Sequence, residues 1–130
     1  MILGVHHIAL KCHGLEAFNK TIHFYRDVFG CPVVRTWGEG GNSAAMLAIG
    51  DSLMEIFANG PDEPGTGAIR HFALRVDDVD FYANAAANAG YEVFIQPNDI
   101  VISSNPPYPA RIAFVRGPVN EEIELFKPEA

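Results

Sequence analysis

The chain contains an internal repeat, and this repeat constrains the fold more than any other feature of the sequence. The first half contains residues 6–11 (HHIALK) and 53–57 (LMEIF), and the second half contains residues 70–75 (RHFALR) and 122–126 (EIELF). A histidine recurs after 64 residues and a glutamate after 69, close to half of the 130-residue chain. Duplication of one supersecondary unit gives such offsets. We therefore expect two similar modules.

Size and composition favour one compact domain without nucleic-acid or membrane partners. With 130 residues, of which 48% are hydrophobic, the chain can bury a core that needs no disulfides. A net charge of −7, with nine Lys and Arg residues spread along the chain, is unsuited to a phosphate backbone. The sequence has no apolar run of about 18 residues and no basic segment typical of a signal peptide. We expect a cytoplasmic protein, in which Cys12 and Cys31 are ordinary apolar residues.

Module one, about residues 1–59, is predicted to have the order β-α-β-β-β. Apolar residues spaced by three and four predict an amphipathic helix, and Gly30 follows it at the position of a left-handed cap. The apolar stripe of this helix consists of Leu15, Phe18, Ile22, Tyr25 and Phe29. Strands are predicted at residues 5–11, 32–37, 43–49 and 52–58, the last two forming a hairpin.

A linker of about residues 60–67, rich in Gly and Pro, leads to module two, about residues 68–130, within the same domain. The element order repeats: Asp77 and Asp78 can cap a helix over residues 79–89, and Gly90 ends it. Strands are predicted at residues 69–76, 91–96, 110–115 and 121–127. The extra length of this module falls mostly in residues 97–109, which we interpret as a proline-stiffened loop. It is either an active-site rim or lid, or a plain connection.

Period-two alternation places the repeated polar residues on one side of the strands. His7 lies opposite Ile8 and Leu10, and Glu55 lies opposite Met54 and Ile56. In the second module, His71 lies opposite Phe72 and Leu74, and Glu124 lies opposite Ile123 and Leu125. We therefore expect a sheet with helices on one face and two His and two Glu residues on the other.

These four residues predict a divalent metal site. A single histidine in a strand is more often a half-buried polar residue, and a single glutamate is usually solvated. Glu55 differs, because an unpaired carboxylate between apolar neighbours would cost several kcal/mol of desolvation. Imidazole and carboxylate ligands suit Zn, Ni, Co, Fe or Mn, and four protein ligands leave an octahedral ion two positions for water or substrate. The proposed metal ligands are His7, Glu55, His71 and Glu124.

The motifs identify a known family. They are residues 7–10 (HIAL), 24–30 (FYRDVFG), 54–56 (MEI), 71–76 (HFALRV) and 117–118 (GP), the last before 123–125 (IEL). Over essentially all 130 residues, the chain resembles the vicinal oxygen chelate superfamily, which includes glyoxalase I, methylmalonyl-CoA epimerase, extradiol dioxygenases, and fosfomycin- and bleomycin-resistance proteins. The resemblance implies an α+β fold in which two βαβββ modules form a cupped mixed sheet with helices on its outer face. It also implies metal ligands on the first and last strand of each module.

The complete set of two His and two Glu residues is most similar to glyoxalase I-like members. Extradiol dioxygenases lack a ligand at the position of Glu55, and bleomycin-binding members tend to lose the ligands altogether. The turn before the last strand reads RGPVN at residues 116–120, where glyoxalase I commonly has Asp-Pro-Asx-Gly. No glutathione-binding pattern is recognisable, which leaves the substrate open.

The sequence therefore predicts a metal-dependent lyase, isomerase or epimerase that transfers a proton through a metal-stabilised enediolate of a small, oxygen-chelating substrate. By resemblance, Glu124 is the catalytic base, with Glu55 as the alternative. Two further hypotheses are an Fe(II) extradiol-type dioxygenase and a non-catalytic antibiotic-binding protein. Family resemblance also implies a homodimer.

Other polar and aromatic residues receive plainer interpretations. His6 is expected to face the helix and to be structural. Arg35, Trp37 and Met46 either line the cup or simply pack within the sheet.

Overall fold

The computed structural model describes residues 1–63 and 65–129. The chain divides into two compact units, Met1–Gly65 and Thr66–Ala130. Each unit contains one four-stranded mixed sheet and one α-helix. The predicted α+β class and the repeated βαβββ order are confirmed. Within the described residues, no helix is long and apolar enough to cross a membrane.

Module one begins with its edge strand and ends with the strand beside it. Strand β1 pairs in parallel with β4, which pairs antiparallel with β3, and β3 pairs antiparallel with β2. A π-helical turn follows the helix, and a short 3-10 turn precedes β3. The elements are β1 (His7–Lys11), α1 (Gly14–His23), the π turn (Phe24–Val28), β2 (Val33–Trp37), the 3-10 turn (Gly40–Asn42), β3 (Ala44–Ile49) and β4 (Ser52–Phe57).

Module two repeats this topology with a longer hairpin. Strand β5 pairs in parallel with β8, and β8, β7 and β6 are joined by antiparallel pairing. The elements are β5 (Phe72–Arg75), α2 (Val79–Asn88), β6 (Val93–Ile102), β7 (Tyr108–Arg116) and β8 (Glu122–Pro128).

The helix boundaries agree with the signals in the sequence. The Asp78 side chain accepts a hydrogen bond from the Phe81 amide at 3.0 Å and caps α2. Gly30 and Gly90 have φ angles of +76° and +91°, which a residue with a Cβ adopts only with strain. Each glycine therefore allows the chain to turn from its helix into the next strand.

The π turn modifies the predicted apolar stripe of the first helix. The Phe29 amide bonds to the Phe24 carbonyl, five residues earlier, at 3.1 Å, and this wider turn brings consecutive residues inward. Phe24 and Tyr25 are both completely buried, although the stripe contained only Tyr25. At the other end, Leu15 is exposed. The predicted apolar stripe is therefore wrong at Leu15 and Phe24, because the prediction assumed a uniform helical period of about 3.6 residues.

The prediction of a loop over residues 97–109 is also wrong. Most of this segment belongs to β6 and β7, whose pairing continues to Ile102 and Tyr108. The β-forming residues 100–102 (IVI) favour extension. Pro97 lies where the register shifts between Ile95 and Asn98, so its missing amide interrupts no regular ladder. Only residues 103–107 connect the two strands.

Burial alternates along the strands that carry the repeated His and Glu residues. Met54 and Ile56 on β4, and Ile123 and Leu125 on β8, are completely buried. Glu55 and Glu124 lie between them and are partly exposed. The predicted opposition of the glutamates to the apolar core face is therefore confirmed in both modules.

We expect Asp78→Ala to lower the free energy of unfolding by about 1 kcal/mol, because the Phe81 amide loses its acceptor at the start of α2. Asp78→Asn should retain most of this stability, since an amide oxygen also accepts the bond. Denaturant unfolding measures both effects, with the exposed neighbour Asp77→Ala as control. A loss from Asp77→Ala as large as that from Asp78→Ala would contradict the assignment of the cap.

Candidate functional site

In module one, parallel pairing of the first and last strands brings a histidine and a glutamate together. Glu55 on β4 is in register with Ala9, two residues beyond His7 on β1. The Nε2 atom of His7 lies 3.6 Å from an Oε1 atom of Glu55. The glutamate side chain is only 15% exposed, while the histidine side chain is 40% exposed. The histidine of this pair is therefore accessible to solvent, whereas the glutamate is largely sheltered from it.

Module two contains the equivalent pair. Glu124 on β8 is in register with Ala73, two residues beyond His71, which immediately precedes β5. The His71 Nε2 and Glu124 Oε1 atoms lie 3.3 Å apart, with side-chain exposures of 45% and 13%. The repeat seen in the sequence is therefore a repeat of side-chain geometry within each module.

The donor chemistry and the spacing of each pair fit two ligands of one divalent ion. Ligand bonds of about 2.1 Å at angles of 90–110° place two donor atoms about 3.0–3.4 Å apart. The measured separations, 3.6 and 3.3 Å, are close to this range. Each module contributes two donors: in residues 1–63 and 65–129, no three His, Cys, Asp or Glu side chains form a potential metal-binding group. The assignment of His7, Glu55, His71 and Glu124 to one ion therefore stays a prediction.

The carboxyl group of Glu124 is perturbed by its surroundings. Burial raises the pKa of Glu124, and the nearby His71 imidazole offsets part of this increase. Loss of solvation disfavours the charged carboxylate, whereas a cation beside it favours the charge. The environment of Glu124 therefore favours proton uptake when no cation is bound.

The two histidines have different neighbours at the other side of the ring. The Nδ1 atoms of His6 and His7 lie 3.0 Å apart, and both residues are exposed. The expectation that His6 is a structural residue facing the helix is wrong, because His6 is exposed rather than buried against α1. His71 instead packs edge-on against the Phe114 ring, with centroids 5.3 Å apart.

Near the module-one pair, the structure places further residues that the sequence named only as possible lining. Arg35 Nη1 lies 3.4 Å from the sulfur of Met46, and Met46 is in register with Glu55. The Trp37 ring packs edge-on against Phe57. Sequence reasoning missed the contact between Lys11 and Phe57. The shared period of two was the signal that could have found it, since Lys11 and Phe57 follow His7 and Glu55 on the same face.

The comparisons with known proteins agree with this architecture. A profile of the Glyoxalase/Bleomycin resistance protein/Dioxygenase superfamily matches residues 4–105. The chain therefore belongs to this superfamily, and the resemblance found in the sequence is confirmed. None of the curated proteins matches the chain significantly.

Several solved structures share the fold at low sequence identity. SMU.1112c is 23% identical, with a TM-score of 0.77, over 97% of this chain and 99% of the other. The fosfomycin resistance protein FosX from Listeria monocytogenes is 20% identical, with a TM-score of 0.72 and coverages of 98% and 94%. Lactoylglutathione lyase from Agrobacterium tumefaciens is 18% identical, with a TM-score of 0.66 and coverages of 98% and 95%. At such identities these similarities establish the fold alone.

We expect Glu124→Gln to stabilise the metal-free protein at neutral pH more than at acidic pH. The pKa of Glu124 is higher in the folded chain than in the unfolded chain. As the pH rises, the unfolded chain loses this proton first, and the free energy of unfolding of the wild type falls. At low pH the carboxyl is protonated in both states, and this cost is absent. Denaturant unfolding in a chelator at about pH 3.5 and about pH 7 measures the difference. The prediction would be contradicted if Glu124→Gln raised the free energy of unfolding at neutral pH no more than it does at acidic pH.

Proposed function

We propose that the chain is a metal-dependent lyase, isomerase or epimerase of the glyoxalase type. One observation supports the proposal above all: an imidazole and a carboxylate occur at equivalent positions of both modules, 3.6 and 3.3 Å apart. A carboxylate with an exposure of 15% or 13% is costly without a cation beside it, and this cost arises in both modules. Superfamily membership supplies the class of fold, and the paired donors supply the chemistry.

In this proposal, His7, Glu55, His71 and Glu124 hold one divalent ion. When bound, such an ion acts as a Lewis acid on adjacent substrate oxygens and makes the neighbouring C–H bond more acidic. The neutral imidazoles serve as fixed ligands. The side chains of Glu55 and Glu124 are only 15% and 13% exposed, which limits access of competing water to the carboxylates.

Glu124 is the proposed base. Its carboxyl takes a proton from the carbon next to a carbonyl and returns it to the adjacent carbon. Burial raises the pKa of Glu124 in the metal-free protein, and a bound ion would lower it, so the carboxylate would have to leave the ion before it takes the proton. Glu55 is the alternative base.

The substrate is proposed to be a small molecule with adjacent oxygens. Two structures with the same fold are named a lactoylglutathione lyase and a fosfomycin resistance protein, and both names refer to small molecules. An Fe(II) dioxygenase would require O₂, and an antibiotic-binding protein would show no turnover. Assays with and without O₂ therefore separate these alternatives from proton transfer.

The proposal includes a homodimer whose sites take His7 and Glu55 from one subunit and His71 and Glu124 from the other. Each module alone contributes only two donors, so a four-ligand site needs two modules. In the sheets described, β1 and β5 are edge strands, whose unpaired backbone groups favour association. A two-fold dimer would form two equivalent sites.

Replacing the proposed base should abolish proton transfer while retaining the ion. In D₂O, NMR should detect wild-type exchange of the hydrogen next to the carbonyl in a panel of α-hydroxy and α-keto thioesters. Glu124→Gln keeps an oxygen donor, so we expect metal to persist while exchange falls by at least ~10²-fold. Glu122→Gln, on the same strand, is the matched control. Full activity of Glu124→Gln together with an inactive Glu55→Gln would transfer the role to Glu55.

Subunit mixing tests the ligand set and its division between chains. The wild type should bind about one divalent ion per chain, and His7→Ala or Glu124→Ala should each bind far more weakly. Mixing the two variants after unfolding and refolding should restore about one quarter of the sites, since half of the dimers are mixed and one of their two sites is intact. Elemental analysis and activity measure the recovery. If the mixed variants recover no metal binding, the sites are not shared between chains. If the double variant His7→Ala plus His71→Ala still binds stoichiometric metal, the assignment of these histidines as ligands is wrong.

A further inference from the structure

A row of side chains crosses the sheet of module one beside the His7–Glu55 pair. Lys11 on β1 is in register with Phe57 on β4, Phe57 with Ala44 on β3, and Ala44 with Trp37 on β2. Residues in register project to the same side of a sheet. Because Lys11 and Phe57 follow His7 and Glu55 by even numbers of residues, this row lies on the face of the proposed metal ligands.

The three larger side chains of this row contact one another. The Lys11 Nζ atom lies 5.6 Å from the centre of the Phe57 ring, within the range of a cation–π contact. The Trp37 ring meets Phe57 edge-on with centroids 6.1 Å apart, across the small side chain of Ala44. Trp37 nevertheless remains 41% exposed. The row therefore presents an accessible aromatic surface with a cation at one end.

A second cation lies in the neighbouring row. Met46 separates Arg35 from Glu55 in the register of the sheet, and the guanidinium of Arg35 lies against the Met46 sulfur. Lys11 and Arg35 thus flank the same face at its two edge strands.

Neither cation is matched by an acid. Within the part of the chain that the structure describes, no Asp or Glu carboxylate lies within ion-pair distance of Lys11 or Arg35. By contrast, Arg26, Arg111 and Arg116 are all paired with carboxylates. Acids are not scarce, since the chain has 16 Asp and Glu residues against nine Lys and Arg. The two cations therefore remain available to an anion from outside the protein.

Module two repeats the combination of residue types. Arg75 on β5 is in register with Phe126 on β8, as Lys11 is with Phe57. Tyr108 packs against Phe126 with centroids 5.7 Å apart. The second aromatic ring comes from β7 rather than from the outermost strand, β6. The combination of a cation and two aromatic rings therefore recurs, although the strand that contributes the second ring differs.

We propose that the row formed by Lys11, Phe57 and Trp37, with Arg35 beside it, is a substrate subsite for an aromatic carboxylate. The ring of the ligand packs on Trp37 and Phe57 and its carboxylate pairs with Lys11, while Arg35, on the opposite edge strand, adds positive charge to the same face. This inference rests on the proposed function, because it describes the part of the substrate that extends beyond the chelating oxygens. It selects aromatic acids from the broad class of oxygen-chelating compounds.

The sequence contains one tryptophan, Trp37, so its fluorescence reports on the subsite directly. The full-length protein is titrated with phenylacetate, with its neutral analogue phenylacetamide, and with acetate, which lacks the ring. Phenylacetate should change the fluorescence saturably, and the other two should bind at least ~10-fold more weakly, because each lacks one of the two recognised groups. Phenylacetamide binding as tightly as phenylacetate, or no saturable change, would overturn the proposal.

Matched lysine variants test the role of charge. Lys11→Met should weaken phenylacetate binding about fivefold, the effect of losing one partly exposed charge pair, and Lys11→Arg should restore it. Lys20→Met, on α1, should bind like the wild type. Equal affinity of Lys11→Met and the wild type for phenylacetate would count against the subsite. Arg35→Met should also weaken phenylacetate binding, and it tests the second cation independently.

The same titration after chelator treatment separates this inference from the proposed function. Charge-dependent binding of phenylacetate that persists without metal supports the subsite, even if the protein proves to bind no ion. Binding that disappears with the metal would assign the carboxylate to the ion and would overturn the subsite while leaving the proposed function intact.

Discussion

The parallel pairing of the first and last strands of each module is the constraint on which the rest of the structure depends. It brings a histidine from one strand to a glutamate on the next, although 48 residues separate His7 from Glu55 and 53 separate His71 from Glu124. A parallel pair needs a long crossover connection, and the helix and the two intervening strands provide it. Alternation then buries the flanking Met54 and Ile56, or Ile123 and Leu125, and leaves each glutamate on the opposite face. A shift of register by one residue would exchange these faces and abolish both pairs.

The two modules place the same histidine–glutamate pair in different surroundings. In module one, the ring of His7 has the His6 imidazole beside it, and Arg35 and Lys11 flank the face. In module two, His71 packs on Phe114, and burial raises the pKa of Glu124. The histidine–glutamate pair therefore recurs in both modules, while its neighbours differ. This division is consistent with one module contributing more to substrate binding and the other contributing the base.

Local signals predicted the elements and the faces well, because they depend on neighbouring residues. Asp78, Gly30 and Gly90 marked helix ends through capping and left-handed backbone, and alternation placed all four His and Glu residues. The failures have physical causes of the same kind. The burial of Phe24 was not predicted, because a π turn interrupts the helical period. Residues 98–102 were predicted as a loop, because the nearby prolines are typical of loops, but they pair with β7. The contacts of Trp37 and Arg35 depend on the register of neighbouring strands, which the sequence does not specify without the fold.

The central claim is that one ion takes imidazole ligands from both modules. X-ray absorption of the zinc-loaded protein tests this directly, because imidazole rings give characteristic multiple scattering. The account predicts two imidazoles per zinc with the remaining ligands oxygen, at distances of about 2.0–2.2 Å, and one imidazole in either His7→Gln or His71→Gln. A single imidazole in the wild type, or a spectrum unchanged by both substitutions, would contradict the claim.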